Sequence, residues 1–290
     1  MAIEIQGPVT VLGAGTMGRG IAHVSALAGY PTRLFDVSHE QLEAARATIE
    51  RNLGKGVDRG KIAPADRDRA LENLEVVDDF GAAVDGADLV VEAVPERLDA
   101  KHDVLGRAAK LRGAQAIYAT NTSSLSIDDI AAPLPQPERV IGMHFFNPVH
   151  IMKLLEIVVG AATHPEVVEA ARRFGERIGK ECIVVKNSPG FATSRLGLVI
   201  GLEAIRMVEE GVASPEDIDK AMVLGYGFPM GPLRLTDLVG LDVRLSIAEY
   251  LSEHLPEGAH FRPPALLRRM VEEGKLGKKS GEGFYRWDET

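Results

Sequence analysis

A short apolar run, Val9-Thr10-Val11-Leu12, leads directly into Gly13-Ala14-Gly15-Thr16-Met17-Gly18, and a helical pattern with small residues on one face follows to Gly29. A strand, a G-x-G-x-x-G turn and a helix in immediate succession constrain this chain more than any other feature. The first glycine permits a tight turn, the second lets backbone approach a ligand, and the third lets the helix pack close to the strand. The free N–H groups and the dipole at the helix N-terminus favour an anion there. Glycine spacing alone is weak; its place between a strand and a helix gives it weight.

A second strand, Arg33-Leu34-Phe35, ends at Asp36, 18 residues beyond Gly18 and near the usual offset of about 20. A carboxylate there accepts hydrogen bonds from ribose hydroxyls and repels a 2′-phosphate. Gly13, Gly15, Thr16, Met17, Gly18 and Asp36 therefore read as residues of an NAD(H) site. FAD uses similar loops, and a solvated turn acid is the alternative for Asp36.

Further apolar runs at 74–77, 89–91 and 116–119 alternate with helical patterns such as 39–54 and 97–110. Alternation of this kind argues α/β architecture with a doubly wound parallel sheet of the Rossmann type. Past Thr120 the rhythm changes: 140–145, 154–159 and 183–185 look like added strands, with a helix over 165–178. After Asn187-Ser188-Pro189-Gly190 the chain is helical almost throughout. A long helix over 192–210 stops at Gly211, and Ser214-Pro215-Glu216-Asp217 has the form of a helix start. The reading is two domains, 1–186 with the sheet and an all-helical 187–290, in keeping with 290 residues at about 150 per domain.

The net charge of −9 opposes nucleic acid and anionic membrane, so any phosphorylated ligand must be held by local features. No apolar run approaches the roughly 18 residues of a membrane span. The start, MAIEIQGPVTVLG, lacks a basic region followed by an apolar stretch and a cleavage site, and a cytoplasmic protein is expected. The single cysteine, Cys182, excludes an internal disulfide and fits a reducing compartment. It lies in an apolar run, Cys182-Ile183-Val184-Val185, and a buried, inert thiol is expected. No H-x-x-x-H or C-x-x-C cluster occurs, so no metal is expected.

Further motifs follow in order: VVEAVPE from Val90, NTSSL from Asn121, HFFNPV from His144, a Lys-Leu-Leu-Glu run ending at Glu156, SPGF from Ser188, GYGFPMGP from Gly225 and GKKSGEGFY from Gly277. With the glycine loop they span about Pro8 to Tyr285, and the chain resembles the 3-hydroxyacyl-CoA dehydrogenases, in their short bacterial form. HFFNP following NTSSL is the most specific element. The resemblance implies NAD-dependent interconversion of a short (S)-3-hydroxyacyl-CoA and its 3-ketoacyl-CoA. It implies His144 as general base, Glu156 on the other ring nitrogen, and Ser123 at the substrate oxygen near the nicotinamide. Asn147 would contact the nicotinamide end, and Glu96 and Lys101 the ribose and amide region. Segment 51–61 corresponds to an arm that meets coenzyme A, with Lys55, Arg59 and Lys61 expected at its phosphates; a solvated basic helix end is the alternative. The resemblance also implies a homodimer formed through the helical domain.

One position departs from the family pattern. Where the family has P-G-F-x-x-N-R, this chain has Pro189-Gly190-Phe191-Ala192-Thr193-Ser194-Arg195. Ser194 replaces an Asn that helps polarise the substrate oxygen. A hydroxyl can still donate one hydrogen bond, with a shorter reach.

The residue types suit the chemistry. Hydride transfer from an alcohol needs a base for the hydroxyl proton, working near neutral pH in both directions, which imidazole does. A carboxylate partner fixes the tautomer and stabilises the imidazolium. His144 at the end of one strand and Glu156 on the next, with a turn at Pro148, could be neighbours. Alternatives stay open: a satisfied core histidine at His144, and a helix-capping role for Ser123 that Ser124 or Ser126 could take instead. At the level of function they are a same-fold dehydrogenase of a free hydroxy acid or sugar acid, and a non-catalytic, crystallin-like relative.

Overall fold

A computed structural model describes residues 3–287. The chain divides into two compact units at the Asn187–Ser188 bond.

The first unit is built on one eight-stranded sheet. Its strands are β1 (Val9–Leu12), β2 (Thr32–Phe35), β3 (Leu74–Val77), β4 (Leu89–Glu92), β5 (Ile117–Thr120), β6 (Val140–Phe145), β7 (Leu154–Val159) and β8 (Glu181–Lys186). They lie in the order β3-β2-β1-β4-β5-β6-β7-β8. The first six are parallel; β7 is antiparallel to β6, and β8 runs parallel to β7. The connections explain the change of direction. Parallel neighbours need a long crossover, whereas the short loop after β6 can only turn the chain back on itself. The helical crossover between β7 and β8 restores a parallel pair.

Helices α1 (Thr16–Leu27), α2 (His39–Asp58), α3 (Pro64–Glu72), α4 (Phe80–Val84), α5 (Leu98–Arg112), α6 (Ile127–Ala131) and α7 (Pro165–Arg177) complete this unit. β1, β4 and β5 are buried along their whole length, which is why they read as largely apolar runs. Winding reverses between β1 and β4, and in such sheets ligands bind beyond the carboxyl ends of the strands at that point.

Two local expectations are corrected. α2 does not stop at Gly54 but continues to Asp58, with Gly60 at φ 65 in the turn beyond. A helix-interior glycine costs only about 1 kcal/mol. At Gly56 the Ile62 side chain packs close as the chain folds back, and a Cβ there would make it shift. Cys182 is half-buried rather than buried, because β8 is an edge strand, with Ile183 and Val184 exposed beside it. Burial and the nearby Glu176 still push its thiol pKa up.

The second unit contains α8 (Thr193–Glu209), α9 (Pro215–Lys220), α10 (Pro232–Val239), α11 (Leu241–His254) and α12 (Ala265–Glu272) around a core that includes Leu198, Leu202, Leu233, Leu251 and Phe261. Ser214 caps α9, accepting from the Asp217 N–H at 3.2 Å. Two buried acids tie its motif segments together. Asp219 accepts from Leu233 N and Arg234 N at the start of α10 and from the Tyr285 hydroxyl. Asp237 accepts from Phe284 N, Tyr285 N and Trp287 Nε1. Among the described residues no helix is long and apolar enough to cross a membrane.

Candidate active site

The glycine loop connects β1 to α1. Gly13 has φ 105, and a Cβ there would lie 2.7 Å from the Ala93 carbonyl oxygen. A Cβ on Gly18 would collide with the Gly13 carbonyl, so helix and loop meet only through glycine. Gly15 has nothing within 4 Å of its Cβ position, which leaves its backbone open to a ligand. It caps α1 without a side-chain hydrogen bond, and the first turn, with Thr16 and Met17, has no acid. An open backbone at a helix N-terminus without acids fits a dinucleotide diphosphate. Asp36 at the end of β2 braces this loop: one carboxylate oxygen accepts from Ala14 N at 2.8 Å, the other from Ser38 N at 3.0 Å.

The second cluster lies on β6 and β7. Their antiparallel register sets His144 directly opposite Glu156. His144 Nδ1 and Glu156 Oε2 are 2.8 Å apart; Glu156 is fully buried and His144 is 7% exposed. A carboxylate inside a sheet requires a hydrogen-bonded partner, and the imidazole supplies one. Phe146 packs against the ring at a centroid distance of 4.4 Å. Nε2, on the side of the ring away from Glu156, is the nitrogen suited to exchange a proton with a substrate.

The NTSSL segment forms a turn after β5. Asn121 Oδ1 accepts from Phe145 N at 3.0 Å and so ties this turn to the strand that carries His144. Thr122 donates its hydroxyl to Glu96 Oε1, which also accepts from Ser123 N at 3.0 Å and from the Ser124 hydroxyl at 3.3 Å. Ser126, not Ser123, caps α6, accepting from Asp129 N at 3.2 Å. Lys101, from the first turn of α5, is 1% exposed; its ammonium lies 3.0 Å from Glu96 Oε2 and 2.8 Å from Glu92 Oε1. Burial opposes ionisation of Glu96, but Lys101 and the Thr122 and Ser123 donors outweigh it and hold its pKa below the usual range. Burial pushes the Glu92 carboxyl up in spite of Lys101.

Glu96 and Lys101 thus organise the turn that carries Ser123. Sequence reasoning missed Glu92, although an acid closing an apolar strand is a signal in itself. It also missed Asn121 and Lys180. Lys180 donates to the carbonyls of Val149 and Met152, the latter at 2.7 Å, and so holds the loop between β6 and β7. Asn147 is exposed on that loop, joined to Pro148 by a cis peptide bond.

A cleft of about 600 Å³ opens in the same unit. Lys55, Arg59 and Lys61 contribute to its lining from the end of α2 and the turn beyond, with Lys153, Arg177 and Lys180 from other segments; among the described residues no carboxylate lines it. His23 and His150 stack within it at a centroid distance of 5.2 Å. Burial, with His150 and Lys180 nearby, lowers the His23 pKa to about 4. A narrower cavity of about 110 Å³ shares His23, Asn52 and His150 with the cleft and is also lined by Asn147 and Thr16. The cationic cleft thereby adjoins the residues at the start of α1. Ser194 lies in the second unit, partly buried on the first turn of α8.

Residues 8–188 match the family model for the 3-hydroxyacyl-CoA dehydrogenase NAD-binding domain, and residues 190–287 that for its C-terminal domain. The chain is 42% identical to a probable 3-hydroxybutyryl-CoA dehydrogenase of Bacillus subtilis, covering 97% of each chain. It is 43% identical to a 3-hydroxyadipyl-CoA dehydrogenase of Escherichia coli, over 99% of this chain and 60% of that one. The crystal structure of (S)-3-hydroxybutyryl-CoA dehydrogenase from Ralstonia eutropha superposes with a TM-score of 0.95 at 37% identity, covering 99% of this chain and 100% of that one. The chain belongs to the 3-hydroxyacyl-CoA dehydrogenase family, whose members are NAD-dependent oxidoreductases.

Proposed function

We propose that the chain interconverts (S)-3-hydroxybutyryl-CoA and acetoacetyl-CoA with NAD(H), and that the His144–Glu156 pair carries the proton chemistry. The observation that carries the reading is the 2.8 Å contact between those side chains on paired strands. His144 Nε2 takes the proton of the 3-hydroxyl in oxidation and returns it in reduction. Glu156 holds the proton-bearing Nδ1 and stabilises the imidazolium. Bound NAD+ supplies the hydride acceptor. The Ser123 hydroxyl donates to the substrate oxygen; Ser194 holds the position of the family's Asn. The loop from Gly13 to Gly18 holds the cofactor diphosphate, Asp36 its adenosine ribose, and Asn147 its nicotinamide end. Glu96 and Lys101 meet the ribose and amide region of the cofactor, and their contacts also order the turn at Ser123.

In a chain of net charge −9, a cleft bearing six Lys and Arg side chains and, among the described residues, no carboxylate is a local attraction for phosphate. It supports Lys55, Arg59 and Lys61 as ligands of the coenzyme A phosphates. Arg59→Glu should raise the KM for acetoacetyl-CoA about threefold to tenfold, the scale for an exposed ion pair reversed in sign. The KM for NADH should not change. An unchanged KM for acetoacetyl-CoA would remove these residues from the substrate site.

The second unit exposes Leu196, Val212, Leu224 and Tyr226, which supports a homodimer formed through it. Light scattering should give about twice the chain mass at micromolar concentration; a monomer there would overturn the assignment. The single cysteine suits a reducing compartment, and the cytoplasm is part of the same proposal.

The deciding experiment is a panel of 3-ketoacyl-CoA esters, 3-ketoadipyl-CoA included, and the matching free acids, each assayed with NADH and NADPH. Saturable reduction of acetoacetyl-CoA with NADH is the expected result. Turnover of the free acids alone would assign the site to a different substrate class.

A further inference from the structure

We propose that Glu92 is a positioning residue for the reaction: it holds Lys101 so that Glu96 keeps the Thr122–Ser124 turn, and with it Ser123, in place. The inference rests on the reading that Ser123 meets the substrate oxygen.

Glu92 is the last residue of β4 and is fully buried. Its Cα pairs with Leu12 of β1 on one side and Thr120 of β5 on the other. The next residues on those neighbours are Gly13, which opens the cofactor loop, and Asn121, which opens the turn of Ser123. The carboxylate thus stands in the sheet between the two segments that the reaction needs.

Every contact it makes is from a donor. Lys101 Nζ lies 2.8 Å from one oxygen and 3.1 Å from the other; Val94 N donates at 3.1 Å, and the Thr120 hydroxyl also donates to it. An ammonium has three protons to place. Two of the contacts of Lys101 go to Glu92 and one to Glu96 Oε2 at 3.0 Å. The other oxygen of Glu96 collects the Thr122 hydroxyl, the Ser123 N–H and the Ser124 hydroxyl. A continuous line of charge-assisted hydrogen bonds therefore runs from β4 to the backbone of Ser123.

Stability alone does not account for this arrangement. Replacing a buried ion pair by apolar groups of similar volume is often neutral or stabilising. Removing Glu92 by itself leaves the ammonium of Lys101, at 1% exposure, with Glu96 as its remaining carboxylate. Lys101 must then shift, and Glu96 with it. Misplacing a reacting group by about 1 Å can cost on the order of 100-fold in rate.

The test uses the full-length enzyme and the variants Glu92→Gln, Lys101→Met and the double substitution, with kcat and both KM values measured and thermal unfolding followed alongside. Glu92→Gln should lower kcat about 10- to 100-fold while the KM for acetoacetyl-CoA stays within about twofold. In the Lys101→Met background, Glu92→Gln should add less than about twofold, because the line is already cut. A folded Glu92→Gln enzyme with parental kcat, or losses that multiply in the double variant, would overturn the inference. Should Glu92→Gln fail to fold, the double variant decides, since its pair is uncharged and similar in size. A parental kcat in it overturns the inference, and a kcat as low as that of Lys101→Met supports it. A parent enzyme inactive on acetoacetyl-CoA would remove the function and this inference together; an active parent with an unaffected variant removes the inference alone.

Discussion

His144→Gln is expected to lower kcat by about 100-fold or more and to leave the affinity for NADH nearly unchanged. Glutamine is close to histidine in reach, and its amide can still donate to the Glu156 oxygen that lies 2.8 Å from His144 Nδ1. Its amide cannot take up a proton near neutral pH, however, and the loss of a positioned acid–base group is worth roughly 100- to 10,000-fold. Fold and cofactor loop should survive, because His144 lies at the end of β6 while the glycine loop follows β1. His144→Ala is the harsher change: it takes that partner away from a fully buried carboxylate and should lower the melting temperature as well. Steady-state kinetics with acetoacetyl-CoA, together with a fluorescence titration of NADH, separates the two effects. A His144→Gln enzyme within about threefold of parental kcat would exclude this imidazole from the chemistry.

The second large effect is expected at Asp36. Asp36→Ala should narrow the preference for NADH over NADPH by about 10- to 100-fold, the scale of a charge-assisted hydrogen bond to ribose. It should also raise the KM for NADH, for a reason the motif does not convey. The same carboxylate holds Ala14 N at 2.8 Å, so its loss loosens the loop itself. Asp36→Asn divides these roles, since the amide oxygen can keep the Ala14 bond while the negative charge is gone. It should narrow the cofactor preference with a smaller rise in the KM for NADH. If the unmutated enzyme already prefers NADPH, the ribose argument fails.

The glycine loop shows how much a local pattern can convey. Gly13 and Gly18 are required by collisions with the Ala93 and Gly13 carbonyls, and Gly15 by the open space a ligand would enter. These needs are local to one strand–turn–helix unit, so they leave a trace in consecutive residues. The end of α2 was less legible. Gly54 resembles a helix stop, yet the helix runs on to Asp58, with Ile62 packed back against Gly56. At Cys182 an apolar run suggested burial, but the run forms an edge strand whose exposure depends on which strands flank it.

Sequence by itself determined the strand–helix alternation, the cofactor loop, the family and the candidate residues His144 and Glu156. These follow from periodicity and from motifs of a few neighbouring residues. Tertiary structure alone decided that β7 turns back beside β6 and sets Glu156 opposite His144, that Asp36 braces the glycine loop, and that Lys101 serves Glu92 and Glu96 at once. Each of these is a contact between different elements. Its existence depends on strand order and register, which the side chains specify only collectively, through the burial of the whole sheet.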